Sequence, residues 1–136
     1  MNRMRFSIVR SFTLAAAVAA MALVGLASTP AEAKPSNKWR LVVDGSTKTG
    51  GSVVLRITPV GGAPRDIETG VSPSTGENDV AKIITQNVKT ALGEGYHVER
   101  DDWEAVLIKR RGDTPEFEVT LVSSSLEGVS FRLKRE

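Results

Sequence analysis

The period of apolar and polar positions changes several times along the 136-residue chain, and each change marks a boundary. From Phe12 to Ala27 almost every position is Ala, Val, Leu or Met, with Arg3, Arg5 and Arg10 before the run and Ser28-Thr29-Pro30-Ala31-Glu32-Ala33 after it. A positive start, an apolar middle and a small-x-small end define a secretory signal peptide over residues 1–33, with cleavage before Lys34. The apolar run is shorter than the ~20 residues a membrane span needs, so no transmembrane anchor is expected after cleavage.

Downstream, one stretch has a helical period. In Asn78–Leu92, Val80, Ile83, Ile84, Val88, Ala91 and Leu92 recur at spacings of three and four, while Lys82, Thr85, Gln86 and Lys89 fall opposite. Ser74 and Glu77 have capping-box spacing, Asn78 is an alternative N-cap, and Gly93 and Gly95 end the helix. A helix with one apolar stripe needs a sheet to bury it.

The flanks alternate with a period of two, as half-buried strands do. Trp39, Leu41 and Val43 alternate with polar neighbours in Lys38–Asp44, and Val53, Leu55 and Ile57 do so in Ser52–Thr58. Pairing Val43 with Val53 and Leu41 with Leu55 would make a hairpin closed by residues 45–51. Pro59–Gly76 is a long connection with a short edge strand around Asp66–Thr69. After the helix, Val98 alternates with charged neighbours, Asp101-Asp102 reads as a turn, and Trp103–Lys109 returns with Ala105 and Leu107 on the face of Val98. Phe117, Val119 and Leu121, then Val129, Phe131 and Leu133, complete a meander in which Glu118 would face Arg132 and Glu116 would face Lys134. The expected fold is α+β: a single, mainly antiparallel sheet of about six strands in the order ββαββββ, with one amphipathic helix packed on one face, forming a single small domain over residues 34–136.

Composition narrows the chemistry. There is no cysteine, so disulfides, thiolate catalysis and lipid attachment through cysteine are excluded. The 18 Lys plus Arg include Arg3, Arg5 and Arg10, and the 16 Asp plus Glu include Glu32, so residues 34–136 carry fifteen of each and are formally neutral. The basic excess belongs to the targeting segment, and no nucleic-acid footprint is expected.

His97 is the single histidine, beside Glu99, without the companions that a triad or a metal site requires. Asp44-Gly45-Ser46 and Asp101-Asp102 fit turns and lack a calcium-loop pattern. Gly50-Gly51 and Gly61-Gly62 match no phosphate-binding motif. No catalytic residue, metal or cofactor is implied. Candidate interaction residues are the aromatics Trp103 and Tyr96, the basic Arg110 and Arg111, and Asp113, which completes an Arg-Gly-Asp tripeptide expected at a hairpin tip. An exposed sheet edge, along Val129–Leu133 or near Asp66–Thr69, could also accept a partner strand.

The expectation is a small secreted or periplasmic, non-enzymatic binding or interaction protein, envelope-associated or inhibitor-like. Its partner would be another extracytoplasmic protein or an envelope component. The alternatives are a structural subunit of an extracellular assembly, or a hydrolase or calcium-binding protein built on Glu99, Asp101, Asp102 and Glu104.

Overall fold

The computed structural model describes residues 34–136, so the signal peptide expected over residues 1–33 lies outside the described residues. Seven strands and one α-helix follow in the order βββαββββ: β1 Lys38–Gly45, β2 Gly51–Pro59, β3 Arg65–Val71, α1 Glu77–Leu92, β4 Tyr96–Asp101, β5 Ala105–Arg110, β6 Phe117–Ser124 and β7 Val129–Arg135. The edge strand expected near Asp66–Thr69 is the longer β3, paired with β2 from Gly51↔Val71 to Ile57↔Arg65.

The α+β class holds, but the single six-stranded sheet does not form. The strands divide into a four-stranded antiparallel sheet, β4-β5-β1-β7, and a three-stranded one, β3-β2-β6. The two expected hairpins β1–β2 and β6–β7 are therefore absent, since each pair is split between the sheets. Alternation reports only which side chains face inward. Strands of two facing sheets share that property with strands of one sheet, so periodicity cannot choose between them.

Loop chemistry makes the choice. After β1, Thr47 is buried at 3% exposure. Its hydroxyl donates to the Ser72 carbonyl and accepts from the Thr75 amide, both at 2.8 Å. Lys48 donates its amide to Glu127 at 2.9 Å. The loop is thus stitched to the segment before the helix and to the β6–β7 connection, and β2 departs into the other sheet. Gly45 (φ +93°) and Gly128 (φ +85°) mark a crossing of main chains where a Cβ on either would strike backbone. In place of the expected cross-strand pairs, Arg132 lies opposite Val42, Lys134 opposite Arg40, and Glu118 opposite Thr58.

The β4–β5 hairpin forms as expected, with one correction. Residues 102–104 make a three-residue loop, so Val98 pairs with Ile108 rather than facing Ala105. A slip of one residue exchanges the faces of a strand. Val106 and Ile108 enter the core, whereas Ala105 and Leu107 are buried on the outer face. Leu107 lies between Arg40 and Glu99 in register, where long charged side chains cover it with their aliphatic stems.

Both sheets point apolar residues at one core. Leu41, Val43, Val53, Leu55, Ile57, Phe117 and Val119 are at most 2% exposed, each worth about 1.5–3 kcal/mol of burial for a side chain of this size. Helix α1 contributes Val80, Ala81, Ile84 and Val88, and packs against β1, β3, β4 and β5. It therefore bridges the outer strand of one sheet, β3, to the outer strand of the other, β4. No side chain caps its start: Gly76 is the N-cap, and Glu77 instead accepts the Gly45 amide at 3.0 Å. Gly93 (φ +70°) ends it. Among the described residues no helix is long and apolar enough to cross a membrane.

Candidate functional site

Each sheet has one outer strand away from the helix, β6 in one and β7 in the other, and no strand pairing joins them. At the start of β6 the Phe117 main chain exchanges two hydrogen bonds with Ser36, at 2.9 and 3.0 Å. The indole N–H of Trp39 also donates to the Phe117 carbonyl at 2.7 Å. Antiparallel strands send the N–H and C=O of alternate residues to the same side. Val119 and Leu121 thus direct theirs away from β2, as Phe117 does, yet neither has a cross-strand partner there among the described residues.

The side chains along this edge are unusual for a strand margin. Val122 is the extra residue of a bulge, where pairing passes from Leu55↔Leu121 to Val54↔Ser123, and bulges re-aim a strand. Leu121 is 39% and Val122 is 44% exposed, and no charged residue occurs between Glu118 and Glu127. Across the gap, Val129, Phe131 and Leu133 are half-buried, and Arg132, Lys134 and Arg135 are exposed with no ion pair among the described residues. The region where the sheets part therefore offers unpaired backbone, half-covered apolar side chains and three cations.

Over β1, β4 and β5 the outer face of the four-stranded sheet is different, being charged and largely paired. Arg40 contacts Asp101 at 2.6 Å, Glu136 at 2.7 Å and Asp102 at 3.2 Å, and Lys38 holds Glu136 at 2.8 Å. Nearby, Arg111 donates to His97 Nδ1 at 2.8 Å, which leaves the hydrogen on Nε2 to meet Glu99 at 2.9 Å; Lys109 reaches the same carboxylate at 3.2 Å. The hydrogen bonds from His97 and then Lys109 hold the Glu99 carboxyl below its ordinary value. Asp101 and Asp102 are thus engaged by Arg40 and Glu99 by His97 and Lys109, and no three His, Asp or Glu of the described residues gather in a metal-holding group.

The expected interaction residues fall in two places. Trp103 stands at the tip of the β4–β5 hairpin, 68% exposed, with the Arg100 guanidinium 5.0 Å from its ring centre. Asp102 (φ +46°) and Trp103 (φ +62°) both hold left-handed backbone, and the Glu104 amide reaches back to the Asp102 carbonyl, which makes Trp103 the centre of a strained three-residue turn. Tyr96 lies at the other end of the hairpin, opposite Arg110. It packs edge-on against Phe117 at 5.1 Å and 85°, and burial raises its phenol above the ordinary value. Arg110 donates to the Thr114 carbonyl at 3.0 Å, Arg111 is held by His97, and Asp113 is exposed beside Gly112. The Arg-Gly-Asp tripeptide links β5 to β6, which belong to different sheets, so it sits on a sheet-to-sheet connection instead of a hairpin tip.

The β6 residues were missed by motif reasoning, which looks for charges and rings. Their signal is an absence: Val119–Ser125, a β-prone run without charge, Gly or Pro. No protein-family model and no curated protein matches the chain.

Proposed function

We propose that this protein is an extracytoplasmic, non-enzymatic binding module that engages another protein by strand addition at the outer edge of β6. The observation that carries the reading is the exposed, uncharged stretch Thr120–Ser124 beside the unpaired main chain of Val119 and Leu121. Natural sheets guard their edges with charges, proline or a covering element, because an open edge templates pairing with another chain. The opposite margin is guarded in that way: β3 carries Arg65, Asp66 and Glu68, and the helix residue Asn87 donates to the Glu68 carbonyl at 2.7 Å. The edge of β6 has neither guard over most of its length. A docked strand would gain main-chain hydrogen bonds of about 0.5–1.5 kcal/mol each and cover Leu121 and its neighbours. The extracytoplasmic setting rests on the signal-peptide pattern of residues 1–33.

Site-specific photocrosslinking in the exporting cell tests this. A photoreactive residue at Val122 is expected to trap a partner, and one at the exposed helix position Lys82 is not. Adding Thr120→Glu, which guards the edge with a carboxylate, should abolish the Val122 adduct while leaving the fold intact by circular dichroism. Equal trapping at both positions, or an adduct indifferent to Thr120→Glu, refutes the reading. The same edge also supports a second reading, self-assembly as a structural subunit. Sedimentation at rising concentration separates the two, because mass that grows with concentration and returns to monomer in Val122→Lys identifies a subunit.

A further inference from the structure

We infer that the segment added at β6 is acidic, with carboxylate side chains on the face that β7 presents to it. The inference rests on the strand-addition reading and draws on a separate observation, the distribution of unsatisfied charge. Elsewhere on the four-stranded sheet the cations are engaged: Arg40 by Asp101, Asp102 and Glu136, Lys38 by Glu136, Lys109 by Glu99, Arg110 by the Thr114 carbonyl and Arg100 by the Trp103 ring. The cations of β7 are not. Lys134 lies opposite Arg40, whose guanidinium is already saturated, so one cation faces another in register. Arg132 lies opposite the apolar Val42 and lines a surface pocket with Asp44, Glu77 and Glu104 without an ion pair to any of them, and Arg135 lies opposite Trp39.

Arg132, Lys134 and Arg135 are all exposed on the last strand before the gap. Across the gap the uncharged run of β6 supplies no counter-charge beyond Glu118, which sits near the end closed by Phe117 and Ser36. Like charges opposite one another destabilise a sheet, and opposite charges stabilise it. A strand lying between these margins finds apolar surface at Leu121, Phe131 and Leu133 on one face and the unpaired charges of Arg132 and Lys134 on the other, Arg135 being in register with the inward-facing Trp39. Alternating apolar and acidic residues satisfy both, because successive side chains of a strand point to opposite faces. A basic strand meets repulsion from β7, which makes the edge selective as well as adhesive.

Fluorescence anisotropy on the exported protein tests this with four short labelled peptides. Three alternate valine with glutamate, threonine or lysine, and the fourth is the glutamate peptide N-methylated at alternate amides. The glutamate peptide should bind best and the lysine peptide worst, with binding of the former weakening steeply as salt rises. Arg132→Glu with Lys134→Glu should weaken it by about tenfold and improve the lysine peptide. Because charge reversal could disturb the strand, Arg132→Gln with Lys134→Gln serves as the milder variant and should remove the discrimination without reversing it. Equal binding of the three unmethylated peptides, with loss on N-methylation, overturns the acidic preference and leaves strand addition standing. No binding by any peptide, or binding indifferent to N-methylation, overturns strand addition itself.

Discussion

The two margins where the sheets end are built from the same material and finished in opposite ways. At one, β3 and β4 are bridged by α1, which lays Val80, Ile84 and Val88, all 0% exposed, over the opening. Asn87 and Arg65 tie it down, the latter reaching the Ala91 carbonyl at 2.6 Å. At the other, β6 and β7 have no covering element among the described residues, and Leu121 and Val122 remain in contact with solvent. The difference separates the margin that closes the core from the margin proposed to take a partner. The helix closes the core where burial is deepest, and the edge most suited to a partner is the one that folding can leave unsatisfied at low cost.

The sharpest way to break this comparison is to truncate matched residues on the two sides. Ile84→Ala should lower unfolding free energy by about 2–5 kcal/mol in a denaturant titration, because the site is sealed and the cavity cannot collapse fully. Leu121→Ala should cost well under half as much, since a large part of the side chain is already hydrated; equal costs would mean the seam is as well packed as the helix side.

Asn87→Ala should cost about 1–2 kcal/mol by losing bonds to the Glu68 carbonyl and to the Thr69 hydroxyl, which is only 3% exposed. The loss should appear as faster amide exchange in β3 and α1. In the intact protein the amides of Val119 and Leu121 should exchange faster than those of Leu55 and Ile57, although all four residues belong to the same sheet. Comparable protection would show the seam to be closed in solution.

Acid should act through surface pairs. The carboxyl of Glu99 is held low by His97 and Lys109, that of Glu136 by Lys38 and Arg40, and that of Asp66 by Arg56. A carboxyl with a lowered folded value contributes stability above its unfolded value and loses that contribution as pH falls through the folded one. Stability should therefore be flat near neutrality and decline below about pH 4.5, the ordinary glutamate value. The decline should be shallow, because these pairs are exposed and each is worth little. Glu99→Gln should reduce its slope and change stability at pH 7 little. Smallest of all, Val122→Glu should leave stability within about 0.5 kcal/mol while removing the docking proposed for β6.

Much of this was legible in the chain and part was not, for identifiable reasons. The helix was read to within one residue at its start, because its stripe and Gly93 are local signals, although Ala81 is buried and Ala91 exposed where a six-residue stripe gave the reverse. Strand positions were likewise local. The faces of β5 were exchanged because a three-residue loop and a two-residue loop differ by one step, and a step is a whole face. Of the interaction candidates, Trp103 lies in the loop before β5 and not at the start of the expected strand, and is exposed, whereas Tyr96 is packed on Phe117.

By itself the sequence determined which residues are apolar and at what period, and hence a helix of one face, strands of alternating character, and a chain without thiols. Only tertiary structure decided which strands are neighbours. Periodicity is a property of one segment, while pairing depends on distant groups such as Thr47 with Ser72 and Thr75, and Gly45 against Gly128. The open margin at β6 is a consequence of that choice, since an edge exists only once the neighbours of every other strand are known.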